Sequence, residues 1–218
     1  MEPYNAVIFD MDGLLLDTER IALEHFVKAC RAFHFEPDID VYVRCIGTNS
    51  AATQVILTEG YGPEFPFEAI REVWTENYQK AVRENPIPMK SGAEKLLNYL
   101  KQSDIRLAVA TSTKYDKALQ KLKNAGVFHF FEKIVGGDQV ENSKPHPEIY
   151  LQVSAFLGEV PEQCLALEDS DNGVLSAHNA RMQVIQVPDL REPSAEVRNI
   201  GHPILPSLDE ALRFLQKT

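Results

Sequence analysis

The sequence predicts an α/β fold built as three layers, a parallel sheet between helices, with a small helical domain inserted after the first strand. Three observations lead there. Short apolar runs recur and each stops at polar or small residues, the segments between them repeat apolar residues at helical spacing, and one interval, 18–85, offers helices without a buried strand. Strands alternating with helices imply parallel crossovers, which put helices on both faces of one Rossmann-like sheet.

The first run, Ala6-Val7-Ile8-Phe9, reads as a buried strand and ends in Asp10-Met11-Asp12-Gly13. Residues just past the carboxyl end of a parallel strand face the ligand crevice of such folds. Asp10 and Asp12 are two apart, so on an extended segment their carboxylates leave on the same face. Like charges that close repel: either one is protonated or a cation sits between them, and a hard ion such as Mg²⁺ takes oxygen ligands well. An isolated Asp-x-Asp-Gly is also a solvated turn, so the rest of the chain must decide.

From 18 to 85 the rhythm breaks. Ala22, Phe26, Ala29, Cys30 and Phe33 form one apolar helix face, and further helices are predicted over 51–58 and 67–82. The exit, Glu84-Asn85-Pro86-Ile87-Pro88, is a stiff counterpart to the connection at 15–18. The predicted boundaries are 1–16 and 87–218 for the core and 17–86 for the insertion. Beyond it, Ala93, Leu96, Leu97 and Leu100 mark a helix, and Leu107-Ala108-Val109-Ala110 a strand ending in Thr111-Ser112. Lys133-Ile134-Val135 stops at Gly136-Gly137-Asp138, and Ile149, Val153, Phe156 and Leu157 mark the next helix. Cys164-Leu165-Ala166-Leu167 precedes Glu168-Asp169, Val184-Ile185-Gln186-Val187 precedes Pro188-Asp189, and Leu208, Ala211, Leu212 and Leu215 mark the last helix. Ser91 with Glu94 and Ser207 with Glu210 have capping-box spacing.

At 218 residues the chain can bury a substantial core. Its net charge of -10 argues against nucleic-acid or membrane-surface partners, which call for basic patches. Cys30, Cys45 and Cys164 are far apart with no Cys-x-x-Cys spacing, which excludes a zinc framework and predicts buried free thiols in a reducing cytoplasm. The start, Met1-Glu2-Pro3-Tyr4, has no basic or long apolar leader, and no apolar run approaches membrane length. A cytoplasmic monomer is expected, because no long apolar stripe is left over.

The strand ends thus supply Asp10 and Asp12, Thr111 and Ser112, and Glu168 and Asp169, with Lys144 in Ser143-Lys144-Pro145-His146-Pro147-Glu148. Carboxylates, hydroxyls and one ammonium are what metal-assisted phosphoryl transfer needs, since its catalysis is mostly positioning and charge neutralisation. The histidines have no metal-ligand spacing, and Trp74 reads as helix packing.

The segment Asp10-Met11-Asp12-Gly13-Leu14-Leu15-Leu16-Asp17-Thr18, then Thr111, Lys144-Pro145 and Leu167-Glu168-Asp169-Ser170-Asp171-Asn172-Gly173 resemble, in order and spacing, the four motifs of the haloacid-dehalogenase-like hydrolase superfamily. The similarity covers nearly the whole chain, with the insertion matching that superfamily's cap domain. Within it the chain most resembles the branch of sugar-phosphate phosphatases and β-phosphoglucomutase-like enzymes, and its opening is similar to those of pseudouridine-5'-phosphatases and 2-deoxyglucose-6-phosphatases. The resemblance implies a phosphoric monoester hydrolase, dependent on Mg²⁺, acting on a small phosphorylated metabolite through an aspartyl-phosphate. It implies Asp10 as nucleophile, Asp12 as acid and then base, Thr111 as a donor to a phosphoryl oxygen, and Lys144 as partner of Asp10 and the phosphate. It implies Mg²⁺ on the carboxylates of Asp10 and Asp169 and the backbone carbonyl of Asp12, with Glu168 ligating directly or through water.

Candidate substrate contacts are Ser112, Gly47 and Asn49 in the 47–50 loop, and Glu19 after the connection. Asp138, Asp171 and Asn172 either support the metal or the lysine or stabilise loops. A dehalogenase would need neither a leaving-group acid nor a metal. The alternative, a β-phosphoglucomutase-like phosphoryl-transfer isomerase, is weakened by two departures: Ala22 stands where that motif carries a histidine, and Ser50 where an arginine is expected.

Overall fold

Short runs of branched and small apolar residues become the strands β1 (Ala6–Phe9), β2 (Arg106–Ala110), β3 (Lys133–Val135), β4 (Cys164–Glu168) and β5 (Gln183–Gln186). In the computed structural model, which describes residues 2–46 and 50–217 and not the side chain of Ser50, they form a sheet of order β3-β2-β1-β4-β5. Every pairing is parallel. All residues of β1 and β4 are buried, as in a sheet covered on both faces.

The helices, in chain order, are α1 (Thr18–Ala32), α2 (Ile39–Cys45), α3 (Ser50–Tyr61), α4 (Phe67–Glu84), α5 (Ala93–Gln102), α6 (Tyr115–Asn124), α7 (Glu148–Leu157), α8 (Asp171–Asn179), α9 (Ala195–Arg198) and α10 (Leu208–Leu215). Alternation along the strands sorts them into layers. Ala6 and Ile8 of β1, Ala108 and Ala110 of β2 and Ala166 of β4 share one buried cluster with Tyr150 and Val153 of α7 and Val174 and Ala177 of α8. Helix α5 packs against β2 and α10. None of the described helices is long and apolar enough to cross a membrane.

The chain divides into two compact units, Met1–Asp17 with Pro86–Thr218, and Thr18–Asn85. The second is helical, with α1 packed along α4 and α2 along α3. Phe26 of α1 meets Tyr42 and Trp74 at ring centroid distances of 5.0 and 5.2 Å, and Trp74 Nε1 donates to the Ala22 carbonyl at 2.8 Å. Trp74 is therefore a packing residue with its one polar atom satisfied.

In the first unit the outgoing and returning connections run side by side. Leu16 bridges antiparallel to Met89, Asp17 N donates to Pro88 O at 2.9 Å, and Lys90 N donates to Leu15 O at 2.9 Å.

One predicted cap is corrected. Ser207 accepts from Glu210 N and caps α10 as expected, but the N-cap of α5 is Gly92, at φ +86°. A Cβ on Gly92 would lie 2.2 Å from the backbone nitrogen of Asp209, so the chain enters α5 pressed against the start of α10. The Ser91 hydroxyl donates instead to Asp209 Oδ2 at 2.8 Å.

Candidate active site

Strand register brings the predicted residues to one edge. Phe9 lies opposite Val109 on one side and Leu167 on the other, so the carboxyl ends of β1, β2 and β4 finish level. Asp10, Thr111 and Glu168 follow from or end these strands, in the crevice where open α/β sheets bind ligands. After Asp12 the chain turns back at once: Gly13 sits at φ +85°, its N–H donates to Leu16 O at 3.0 Å, and the N–H groups of Leu15 and Leu16 both donate to Met11 O. Met11, Leu14, Leu15 and Leu16 are buried, which locks this loop and the two aspartates it carries.

Lys144 reaches into the edge from the loop before α7. Its ammonium donates to Asp10 Oδ1 at 2.7 Å, Glu168 Oε1 at 2.6 Å and the Ala110 carbonyl at 2.9 Å, so its three protons hold the ends of three strands together. Glu168 is fully buried and doubly committed. Its Oε1 also accepts from the Tyr150 hydroxyl at 2.6 Å, and its Oε2 from Ser170 Oγ at 3.3 Å. Gly173 makes room for it, since a Cβ there would lie 2.0 Å from the Glu168 carboxyl.

Charge follows burial. Desolvation pushes the Asp10 carboxyl up to about 7; Lys144 opposes this and Glu168 adds to it. Burial acts to lower the Lys144 ammonium, but Asp10 and Glu168 outweigh it and hold the group above its ordinary value, hence charged. Burial, then Glu168 and Asp10, keep the Tyr150 phenol well above its usual range, so it remains a donor.

Asp12 faces a different set of partners. Thr113 Oγ1 donates to its Oδ2 and Lys121 Nζ to its Oδ1, both at 2.6 Å. Thr111 is buried and its Oγ1 accepts from Thr113 N at 3.1 Å. Ser112, at the same strand end, is exposed, and Glu19 lies in the first turn of α1 in the helical unit. Gly47 and Asn49 fall outside the described residues. Asp138 accepts from Tyr115 N at the start of α6, and Asp171 accepts from Ser194 N, so both stabilise loops; Asn172 lies in the first turn of α8.

Asp10, Glu168 and Asp169 each bring a carboxylate oxygen within 4.8 Å of the others, the group among the described residues that can hold a metal ion. An all-oxygen anionic set fits a hard divalent cation. Sequence reasoning missed Tyr150, Thr113 and Lys121. Lys121 is buried in phase with Ala118 and Leu122 on α6, and a charge on an apolar helix stripe is the signal that points to a partner.

Comparison with known proteins agrees with this fold. The family model of haloacid dehalogenase-like hydrolases matches residues 7–187. A Thermotoga maritima protein named phosphorylated carbohydrates phosphatase is 35% identical over 184 residues, 83% of each chain. CbbY from Rhodobacter sphaeroides, solved in complex with phosphate, is 28% identical with a TM-score of 0.72 over 95% of this chain and 96% of that one. A HAD family hydrolase from Deinococcus radiodurans, solved with bound phosphate and sodium, shares the fold at 22% identity, with a TM-score of 0.83 over 99% of this chain and 96% of that one. With the family's model spanning β1 through β5, this chain belongs to the haloacid dehalogenase-like hydrolases.

Proposed function

We propose that this protein is a Mg²⁺-dependent phosphatase that hydrolyses small phosphomonoesters, sugar phosphates foremost, through an aspartyl-phosphate on Asp10. The observation that carries the reading is the buried Lys144 ammonium shared between Asp10 and Glu168, beside Asp169, where three strands end. The name of the Thermotoga relative supports the substrate class.

In the first half-reaction an Asp10 oxygen attacks phosphorus, the bond to the leaving oxygen breaks, and Asp12 protonates that oxygen. In the second, Asp12 takes a proton from the water that attacks the acyl phosphate, which restores Asp10. Lys144 neutralises charge on the phosphoryl oxygens, and no reorganisation is needed because its carboxylate partners already fix it. Thr111 accepts from a backbone N–H, so its own O–H is left to donate to a phosphoryl oxygen. Asp10 and Asp169 would hold Mg²⁺ with the Asp12 carbonyl, and the commitments of Glu168 to Lys144, Tyr150 and Ser170 favour its reaching the ion through water. When bound, the ion supplies positive charge that the transferring phosphoryl group needs.

Phosphate release from a panel of sugar, nucleoside and small-acid phosphates tests this, with Mg²⁺ or EDTA and with Asp10→Asn as control. Mg²⁺-dependent release, lost in the variant, is expected. Conversion of β-glucose-1-phosphate to its 6-phosphate under a bisphosphate primer, without phosphate release, would overturn hydrolysis.

A further inference from the structure

The roles assigned above leave Lys121 unused, although it is the second lysine drawn beneath the surface of the core. Only 8% of its side chain is exposed, and it sits on the buried face of α6. A lysine seldom leaves water unless a partner compensates its charge. Here the partner is Asp12: the ammonium holds Oδ1 and the Thr113 hydroxyl holds Oδ2, each at 2.6 Å. The outer torsion of an aspartate is broad and weakly preferred by itself. Donors on different oxygens, one from a helix and one from the loop that leads into it, remove that freedom.

We propose that Lys121, together with Thr113, is a positioning residue that sets where the Asp12 carboxyl stands for proton transfer. This rests on the reading of Asp12 as the acid and base. Leaving-oxygen departure breaks one phosphorus–oxygen bond and takes one proton from Asp12; hydrolysis breaks the acyl phosphate and returns one proton to Asp12 from water. Both transfers require the same carboxyl within roughly 2.6–3.2 Å of the reacting oxygen. Anchoring it on the side of α6 lets one placement serve both.

A pair that only braced α6 against the loop after β1 would show the same contacts, and leaving-group dependence tells the two apart. Alkyl esters, such as a hexose 6-phosphate, need a proton delivered to the departing oxygen; p-nitrophenyl phosphate does not, because nitrophenolate leaves unaided. We would measure kcat/KM on both esters for wild type, Lys121→Met, Lys121→Arg and Thr113→Val, with thermal unfolding of each. Lys121→Met is expected to lose about ten- to a hundredfold on the hexose ester and far less on the aryl ester. Arginine should recover most of the loss, and Thr113→Val should show the same selectivity in milder form. Equal losses on both esters, or none on the hexose ester, would overturn the proposal; if Lys121→Met does not fold, Thr113→Val decides alone. Wild type that releases phosphate from neither ester would instead fail the phosphatase reading and take this proposal with it.

Discussion

Against the opposing pull of Lys144, burial raises the carboxyl of Asp10, the proposed nucleophile. Its folded-state value of about 7 lies above the unfolded value near 3.9, so between about 4 and about 7 the folded protein holds the extra proton. The sign follows: the stability this group contributes is present at low pH and is lost as pH rises through that window. Asp10→Asn should therefore gain melting temperature relative to wild type between pH 5 and pH 8. A divalent cation held there, as proposed, would compete with the same proton. Thermal unfolding should show Mg²⁺ raising the wild-type midpoint more at pH 8 than at pH 6, and the Asn variant responding little at either. Equal shifts in both proteins would place the ion elsewhere.

At the same scale, Tyr150→Phe removes one donor from the buried Glu168 carboxylate. Denaturant unfolding should register a loss of about 1–3 kcal/mol. Tyr150 and Lys121 were not legible as partners in the sequence. Each lies at helical spacing among apolar neighbours, and nothing local says which distant carboxylate completes the pair. Asp10, Thr111, Glu168 and Asp169 were legible because a polar residue that halts an apolar run is conspicuous, and strands of a parallel sheet end together.

Elements meet at glycines and caps, and there the sequence was half informative. Ser91 and Ser207 have the same spacing to a glutamate, yet only Ser207 caps a helix. Local spacing cannot see that α5 begins under the backbone of α10, a contact that only Gly92 admits. Ser207→Ala should cost about 1 kcal/mol of unfolding free energy, and Ser91→Ala clearly less, as read by denaturant titration. Gly173→Ala should be more damaging than either. Its new methyl would collide with the Glu168 carboxyl, so either α8 or Glu168 must shift, and a Glu168 shift loosens Lys144. Activity should fall along with a stability loss of about 1–3 kcal/mol.

The whole molecule carries a net charge of -10 while the proposed substrate is an anion, so long-range repulsion opposes encounter. Screening it should raise kcat/KM as salt increases toward about 0.1 M, where the Debye length is about 10 Å; a steady fall over that range would mean that a local positive field governs approach. Burial also silences the thiols, pushing Cys30 and Cys45 up to about 11 and Cys164 up to about 12. A disulfide reagent should titrate none of them before unfolding.

The central place of β1 has a consequence for how the chain comes together. Its neighbours in the sheet are residues 106–109 and 164–167, so the strand that ends in Asp10 is made well before either of the edges it joins. Helices of 18–85 form from near neighbours, whereas this sheet waits on contacts of very high sequence separation, which close slowly. During synthesis the apolar Ala6–Phe9 segment is thus an orphan strand, and the pairing that finally shelters it from aggregation is the same event that brings Asp10, Lys144 and Glu168 together.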